Sequence, residues 1–231
     1  MQLGCRWHSG QPRNDAIMAG RPGSFPAAQS SGGTGEASSA DPSARLTGNA
    51  PRQRIALFGG SFDPPHLGHV LCATWAYAAS GVDRVWVLPS ARHPYAKALS
   101  PWDQRWRMCQ AAFGGLGFVE LRDDELRNPS GYTIDLVEAL AVRHPGTRWS
   151  LIGGTDTARD LPNWHRGTEL AKLVEVIAVP RRGFDQATAA LPDISSREIR
   201  RRRQAGQPID ELVPVLVNEL IQSGHWYRPG S

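Results

Sequence analysis

A short apolar run that stops at two glycines and restarts as a helix is the feature that most constrains this chain. The run occupies residues 55–58, Gly59 and Gly60 follow it, and His66 and His69 come next. A strand, a glycine turn and a helix N-terminus gather backbone N–H groups and the positive end of a helix dipole at one point. The stretch therefore predicts a site for an anion.

The two histidines indicate the kind of anion. Residues three apart on a helix project from one face, so His66 and His69 face whatever the turn holds. Two imidazoles beside exposed backbone amides suit a polyphosphate better than a metal ion, and we predict no metal held by protein side chains. Standing alone, a His-x-x-His pair would more often be structural.

The composition is that of an ordinary globular protein. The chain has 231 residues, of which 40% are hydrophobic, and a formal net charge of +4. That charge permits anionic ligands without demanding nucleic acid, which we do not expect as a partner. Three widely spaced cysteines suggest neither a metal pattern nor a disulfide framework, so we expect a cytoplasmic protein. We expect no membrane partner, because no apolar run is long enough to span a bilayer.

The first part of the chain differs from the rest. Residues 1–53 are dominated by Gly, Ser, Ala and Pro and show no helical or strand periodicity. Such a segment buries too little apolar surface to offset its ordering entropy, so we predict a disordered tail. A dispensable tail or a start codon placed too far upstream is favoured over an organelle transit peptide. We predict one domain over residues 54–231.

From residue 54 onward, strands and helices alternate. This order predicts an α/β fold whose sheet is doubly wound and mostly parallel, with helices on both faces. The predicted strands are residues 55–58, 84–88, 118–121, 148–152 and 175–179. The predicted helices span residues 66–80, 101–113 and 132–143, with two more beginning after Ser195 and at Pro214. In such sheets, ligands bind at the carboxyl ends of the strands near the switch in strand order.

Caps and periodicity add detail to three helices. Ser100 before Pro101 predicts an N-cap followed by a first-turn proline, and Ser195 with Glu198 forms a capping box. One apolar stripe is predicted to bury the first helix. It consists of Leu67, Val70, Leu71, Thr74 and Ala78.

The signature stretch as a whole resembles that of the nucleotidyltransferase superfamily, whose core is His-x-Gly-His. Beyond it, the chain resembles the bacterial nicotinate-nucleotide adenylyltransferase family over residues 54–227, which implies a Rossmann-like sheet. Four blocks in the family's order carry the resemblance. They are Gly59-Gly-Ser-Phe-Asp-Pro-Pro-His-Leu-Gly-His69, Gly131-Tyr-Thr-Ile-Asp135, Gly154-Thr-Asp-Thr157 with Leu161-Pro-Asn-Trp164, and Ile194-Ser-Ser-Arg-Glu-Ile-Arg200.

The resemblance implies an ATP site with His66 and His69 as catalytic residues. It also implies that the start of the last block holds the β- and γ-phosphates, with Mg²⁺ on the phosphates as the cofactor. Taken alone, that block would be an ordinary capping box on a solvated basic helix. The implied ATP- and phosphate-binding residues are Gly59, Gly60, Ser61, Phe62, His66, His69, Asp156, Ser195, Ser196, Arg197 and Arg200.

The resemblance also implies a second site, for nicotinate mononucleotide. Trp164 matches the tryptophan that stacks on the nicotinate ring, and Tyr132 with Thr133 matches the pair beside the base. Lys97 takes the place of the lysine in the family's Pro-His-Lys loop. The chain departs from the family at Gly131, where serine is usual.

The function implied is adenylyl transfer from ATP to nicotinate mononucleotide, giving deamido-NAD and pyrophosphate in NAD biosynthesis. Two alternatives stay open. One is another His-x-Gly-His enzyme with nicotinamide mononucleotide or phosphopantetheine as the acceptor. The other is a non-catalytic module that binds nucleotide or RNA through the basic helix at residues 197–203. Monomer and homodimer are both open.

Overall fold

The computed structural model describes residues 53–92, 98–180 and 191–229. Lys97 and, apart from Gln53, the predicted disordered tail lie outside these residues. The strands are β1 (Arg54–Gly60), β2 (Arg84–Pro89), β3 (Val119–Leu121), β4 (Arg148–Gly154) and β5 (Val174–Val179). The α-helices are α1 (Leu67–Ser80), α2 (Trp102–Phe113), α3 (Thr133–Arg143), α4 (Thr155–Asp160), α5 (Gly167–Leu173), α6 (Ser196–Gln204) and α7 (Val215–Ser223).

All five strands are parallel and lie in one sheet with the order β3-β2-β1-β4-β5. The chain builds outward from β1 through β2 to β3, then crosses back to place β4 on the other side of β1. The switch in strand order therefore falls between β1 and β4, where ligands of doubly wound sheets bind. The predicted fold class is confirmed.

Alternate residues of β1 pack into two hydrophobic cores, one on each face of the sheet. Ile55 and Leu57 pack with α3 and α5, whereas Ala56 and Phe58 pack with α1 and α2. A strand covered on both faces has no solvent side, which explains why β1 reads as a continuous apolar run. The two layers of helices hold the carboxyl end of β1 in place from both sides.

The predicted buried stripe of α1 was wrong at three of its five positions, whereas Val70 packs against the core as predicted. Leu71 is 39% exposed, and Thr74 and Ala78 are also exposed. The buried face instead carries small side chains, among them Ala73 and Ala76. Small residues let the helix lie close against the sheet. The buried face therefore carries fewer large apolar side chains than the face beside it, and apolar periodicity points to the wrong face.

A third core joins the C-terminal helices to α2. Met108 of α2 packs with Ile199 of α6 and with Val217 and Ile221 of α7. This core fixes α6 beside the turn that follows β1. Among the helices of the described ranges, none is both long enough and apolar enough to cross a membrane.

Several local predictions needed correction. Pro101 and Pro214 are themselves the N-caps of α2 and α7, so Ser100 is not a cap and neither proline is the first helical residue. Ser195 is the predicted N-cap of α6, and its side-chain oxygen accepts a hydrogen bond from the Glu198 backbone N–H. The short helices α4 and α5 and the 3₁₀ segments Asp124–Arg127 and Leu161–Asn163 were not predicted. They are too short to show a clear apolar period.

Candidate active site

A cavity of about 390 Å³ opens at the carboxyl ends of β1 and β4. Its walls come from the turn after β1, the end of β2, the start of α3 and the loop before α5. Its lining includes Gly59, Gly60, Ser61, Arg92, Glu125, Gly131, Tyr132, Thr133, Thr157, Trp164 and His165. Six of the predicted site residues thus share one cavity: Gly59, Gly60, Ser61, Tyr132, Thr133 and Trp164.

The turn after β1 is anchored from below by Phe62. Its side chain is 1% exposed and packs edge-on against Phe58 and Phe113. Its φ of 46° lies in the left-handed region, which an aromatic residue rarely adopts and which buried packing must offset. Phe62 therefore shapes the turn from within the core. Gly59, near the end of β1, faces open space, because an added Cβ there would meet nothing within 4 Å.

His66 and His69 lie together at the start of α1. Their rings stack with centroids 3.7 Å apart, and His66 is only 6% exposed. The backbone N–H of His66 donates a 3.2 Å hydrogen bond to Nδ1 of His69. A neutral imidazole that accepts at Nδ1 carries its proton on Nε2, so His69 presents Nε2–H as a donor. The ring is held against Phe62, with centroids 4.8 Å apart.

The N-terminus of α6 docks on the same turn. The Ser196 hydroxyl donates a 2.8 Å hydrogen bond to the Pro64 carbonyl, and the Arg200 guanidinium donates to the Asp63 carbonyl. The N-termini of α1 and α6 are therefore neighbours, although more than a hundred residues separate them in sequence. Two helix N-termini and a guanidinium at one turn form an electropositive corner, the kind of environment that favours an anion.

A buried polar network supports this corner. The Asp63 carboxylate accepts hydrogen bonds from the Ser100 backbone N–H, at 3.1 Å, and from the Tyr227 hydroxyl, at 2.6 Å. Arg105 is 1% exposed and donates to the carbonyls of Ser61 and Ser100, at 3.0 and 2.9 Å. Burial lowers the pKa of Arg105 and the nearby Asp63 opposes that shift. Sequence reasoning did not find Asp63, Arg105 or Tyr227.

Aromatic rings form the opposite wall of the cavity. Tyr132 and His165 stack with centroids 4.0 Å apart, and Nε1 of Trp164 donates a 3.3 Å hydrogen bond to the Asp160 carboxylate. Arg166 follows directly and binds Glu138 of α3 through two nitrogens, at 2.7 and 3.0 Å. This bidentate pair fixes the Trp164 loop against α3. Sequence reasoning missed His165, although it stands next to Trp164.

A buried acid closes the cavity between these two walls. Glu125 is 8% exposed and accepts a 3.0 Å hydrogen bond from Nδ2 of Asn128. The same nitrogen donates to the Tyr132 carbonyl at 3.2 Å. Burial raises the pKa of Glu125 to about 7; the Asn128 bond opposes this shift and the neighbouring Asp124 adds to it. Sequence reasoning missed Glu125, because nothing in its local pattern marks it as buried.

Some predicted residues lie away from this cavity. Asp156 is exposed in the first turn of α4 and does not line the cavity, whereas Thr157 of the same block does. Arg197 is exposed on α6. The guanidinium of Arg201 pairs with Glu198 at 2.7 Å, as expected of a solvated basic face.

Comparison with known proteins identifies the family. Residues 57–202 match the family model described as cytidylyltransferase-like. A protein of Anaeromyxobacter dehalogenans, named "Probable nicotinate-nucleotide adenylyltransferase", is 39% identical over 185 residues, which cover 76% of this chain and 97% of that protein. The chain belongs to the nicotinate-nucleotide adenylyltransferase family. A Bacillus pumilus protein of the same name is 36% identical and covers 76% of this chain and 99% of its own length.

Solved structures share the fold. Plasmodium falciparum nicotinic acid mononucleotide adenylyltransferase complexed with NaAD has a TM-score of 0.67 at 21% identity, over 76% of this chain and 98% of that one. The same enzyme complexed with APC gives a TM-score of 0.65 at 20% identity, with the same coverage. At these identities, the likeness establishes a common architecture, and the family assignment rests on the sequence relatives.

Proposed function

We propose that this chain transfers the adenylyl group of ATP to nicotinate mononucleotide, forming deamido-NAD and releasing pyrophosphate. The observation that carries the proposal is the convergence of two helix N-termini on the turn beside the cavity, with His66, His69 and Arg200 at their meeting point. The curated relatives bear the name of this activity. The aromatic wall at the other side of the cavity suits a flat pyridine base.

The reaction needs positioning more than covalent participation. An oxygen of the mononucleotide phosphate attacks the α-phosphorus of ATP in line, and the bond from that phosphorus to the bridging oxygen breaks. Both reactants are anions, so the protein must hold them together and neutralise the charge that builds on the leaving group. A donor fixed before the reaction, such as Nε2–H of His69, costs no reorganisation at that moment.

We assign phosphate binding to the residues at the corner where the N-termini of α1 and α6 meet. His69, oriented by the His66 backbone, donates to the α-phosphate and the bridging oxygen, and His66 supports it. Ser195, Ser196 and Arg200 hold the departing pyrophosphate. The bonds that Ser196 and Arg200 make to carbonyls of the turn aim their groups at this corner. Arg197 is exposed on α6 and stays a predicted phosphate contact.

The nucleoside portions occupy the cavity itself. Gly59 lets the adenylate lie against bare backbone, since no side chain fills that space. Trp164 stacks on the nicotinate ring and the backbone amide of Thr133, beside Tyr132, receives its carboxylate. The positive charge of the pyridinium favours the electron-rich indole face. Lys97 stays a predicted contact, and Asp156 a predicted ribose contact.

A divalent cation, Mg²⁺, accompanies ATP in this proposal. Within residues 53–92, 98–180 and 191–229, no three His, Cys, Asp or Glu side chains are grouped to bind a metal ion. Phosphate oxygens and water would supply its ligands, which suits the reluctance of Mg²⁺ to lose its hydration shell. When bound, the ion neutralises phosphate charge.

Pyrophosphate release tests the proposal. The purified chain is assayed with ATP and Mg²⁺ against nicotinate mononucleotide, nicotinamide mononucleotide and phosphopantetheine in parallel. Release mainly with the nicotinate form is the expected result. Release with phosphopantetheine alone overturns the acceptor, and ATP binding without release from any acceptor favours a non-catalytic nucleotide-binding module.

A further inference from the structure

The described part of the cavity contains one acid that the proposed mechanism does not use. Glu125 lines the cavity together with Tyr132, Thr133 and Trp164, which are assigned to the pyridine base. We propose that Glu125 is a specificity-determining residue whose neutral carboxyl admits the nicotinate carboxylate and whose ionised form repels it. This inference rests on the proposed function and names what selects the base within it.

The position of Glu125 is fixed by hydrogen bonds rather than by an ion pair. Nδ2 of Asn128 bridges the Glu125 carboxylate and the Tyr132 carbonyl, at 3.0 and 3.2 Å. The Ser130 hydroxyl lies 3.0 Å from Oδ1 of Asn128 and 2.5 Å from Oδ2 of Asp135, which share its one proton, and it accepts from the Tyr132 N–H at 3.2 Å. The acid and the backbone of Tyr132, which leads into α3, therefore belong to one hydrogen-bond network.

The neighbouring cations are committed to a different acid. Arg122 and Arg143 bind Asp124, at 2.9 and 2.6 Å, and this pairing lowers the pKa of Asp124 despite its burial. Among the residues described, no Lys, Arg or His comes within 4.0 Å of the Glu125 carboxylate. Burial raises the pKa of Glu125, and no cation of the described ranges pairs with its carboxylate to offset that shift.

Other charged or titratable groups surround the network and must be considered in any pH dependence. They are Asp124 and Arg127 on the same 3₁₀ segment, Asp135 on α3, and Arg92, Tyr132 and His165 around the cavity. Arg127 already pairs with Asp123, and Asp135 accepts from Ser130. His165 lines the same cavity and stacks on Tyr132, so a His165→Gln variant tests whether it contributes to the pH dependence.

The two possible bases differ in how they meet this acid. Nicotinate carries a carboxylate that can accept a hydrogen bond from a neutral carboxyl, but an ionised carboxyl repels it. Nicotinamide carries an uncharged amide that can donate or accept, so it tolerates both forms. Binding of the nicotinate form should therefore take up a proton at Glu125, whereas binding of the nicotinamide form should not.

The test measures KM for each mononucleotide from pH 6 to pH 8. If one of them is not turned over, its inhibition constant is measured in place of KM. Their phosphates titrate alike, so the ratio of the two constants cancels that contribution. If Glu125 titrates as a single group with a pKa of about 7, the KM for nicotinate mononucleotide should rise about tenfold relative to that for nicotinamide mononucleotide from pH 6 to pH 8. The Glu125→Gln variant keeps a neutral donor and should show a flat ratio at the low-pH value.

Two controls separate the possible outcomes. Glu219→Gln makes the same chemical change on the exposed face of α7 and should retain the wild-type slope. His165→Gln should also retain it, because the titrating group is Glu125. A wild-type ratio that is flat in pH, or a slope that survives Glu125→Gln, overturns the inference while leaving adenylyl transfer intact. Absence of pyrophosphate release with either mononucleotide overturns the proposed function instead.

Proton uptake gives a readout that does not depend on turnover. Calorimetric titration of nicotinate mononucleotide at pH 7.5, in two buffers of different ionisation enthalpy, measures protons taken up on binding. The wild type should take up more protons with the nicotinate than with the nicotinamide form, and Glu125→Gln should take up equal numbers. Equal uptake in the wild type contradicts the role assigned to Glu125.

Discussion

The hydroxyl of Tyr227 donates a 2.6 Å hydrogen bond to the buried carboxylate of Asp63, which lies 164 positions earlier in the chain. Asp63 lies in the turn after β1, and its own carbonyl accepts from Arg200 of α6. One residue thus receives both the C-terminal segment and the helix assigned to pyrophosphate. The phosphate corner is therefore a tertiary construction that no single segment could form by itself.

Replacing Tyr227 with Phe should weaken the fold. The variant leaves Asp63 buried with one donor fewer, which costs about 1–3 kcal/mol of unfolding free energy. Denaturant unfolding measures it, and Tyr77→Phe is the matched control because Tyr77 is 37% exposed and its ring stacks on Phe118. Equal stability of the two variants would show that the Asp63 bond contributes little.

Replacing His69 with Asn should damage catalysis without unfolding the protein. The Asn oxygen can still accept from the His66 backbone N–H, but the Nε2–H donor is lost. By analogy with the loss of one oxyanion donor, kcat should fall about 10²- to 10³-fold. His225→Asn, at an exposed residue with φ of 54°, should keep normal turnover, since Asn tolerates that conformation. A folded His69→Asn enzyme with near-normal kcat would refute the assigned role.

Replacing Gly167 with Ala should disturb the aromatic wall. The added Cβ would lie 2.1 Å from the Leu161 carbonyl oxygen, so the 3₁₀ segment and α5 must separate. We expect a loss of about 1–3 kcal/mol from overpacking and a larger rise in KM for the mononucleotide than for ATP. Gly115→Ala meets nothing within 4 Å and should be neutral or slightly stabilising. Steady-state kinetics and thermal unfolding of both variants decide the matter.

The buried acid should also leave a mark on stability. The pKa of Glu125 rises from 4.5 to about 7 on folding, so the native state binds more protons than the unfolded state between these values. The native state therefore loses stability as pH increases through this window, by up to about 3 kcal/mol. Glu125→Gln should remove that slope. Urea unfolding of wild type and variant at pH 5 and pH 8 measures it, and parallel slopes would contradict the shift.

Much of the sheet could be predicted because its signals are local. The apolar run of β1, the glycines after it and the alternation of strands with helices each depend on a few adjacent residues, and the sheet order confirmed the fold they predict. The pairing of His66 with His69 was equally local. The buried face of α1 was not a local signal. Small residues such as Ala73 and Ala76 occupy it because the helix lies close to the sheet, and that distance depends on tertiary packing.

The rest of the site depends on contacts that sequence order hides. Arg105 looks like any charged helical residue until α2 is placed over the Ser61 carbonyl. Glu125 lies on a short 3₁₀ segment, where no period separates buried from exposed positions. Tyr227 acquires its role from a partner at the other end of the domain. Each becomes visible only when tertiary packing determines which polar groups lose water.

The empty space over Gly59 has a consequence for how variants of this protein should be surveyed. An alanine there would touch nothing in the protein alone, so the variant should fold, accumulate and melt like the wild type. Its defect would appear only when a nucleotide needs the volume that the new methyl group takes. A screen that scores protein abundance would show Gly59 as tolerant of substitution, whereas a screen that scores NAD synthesis would show it as essential.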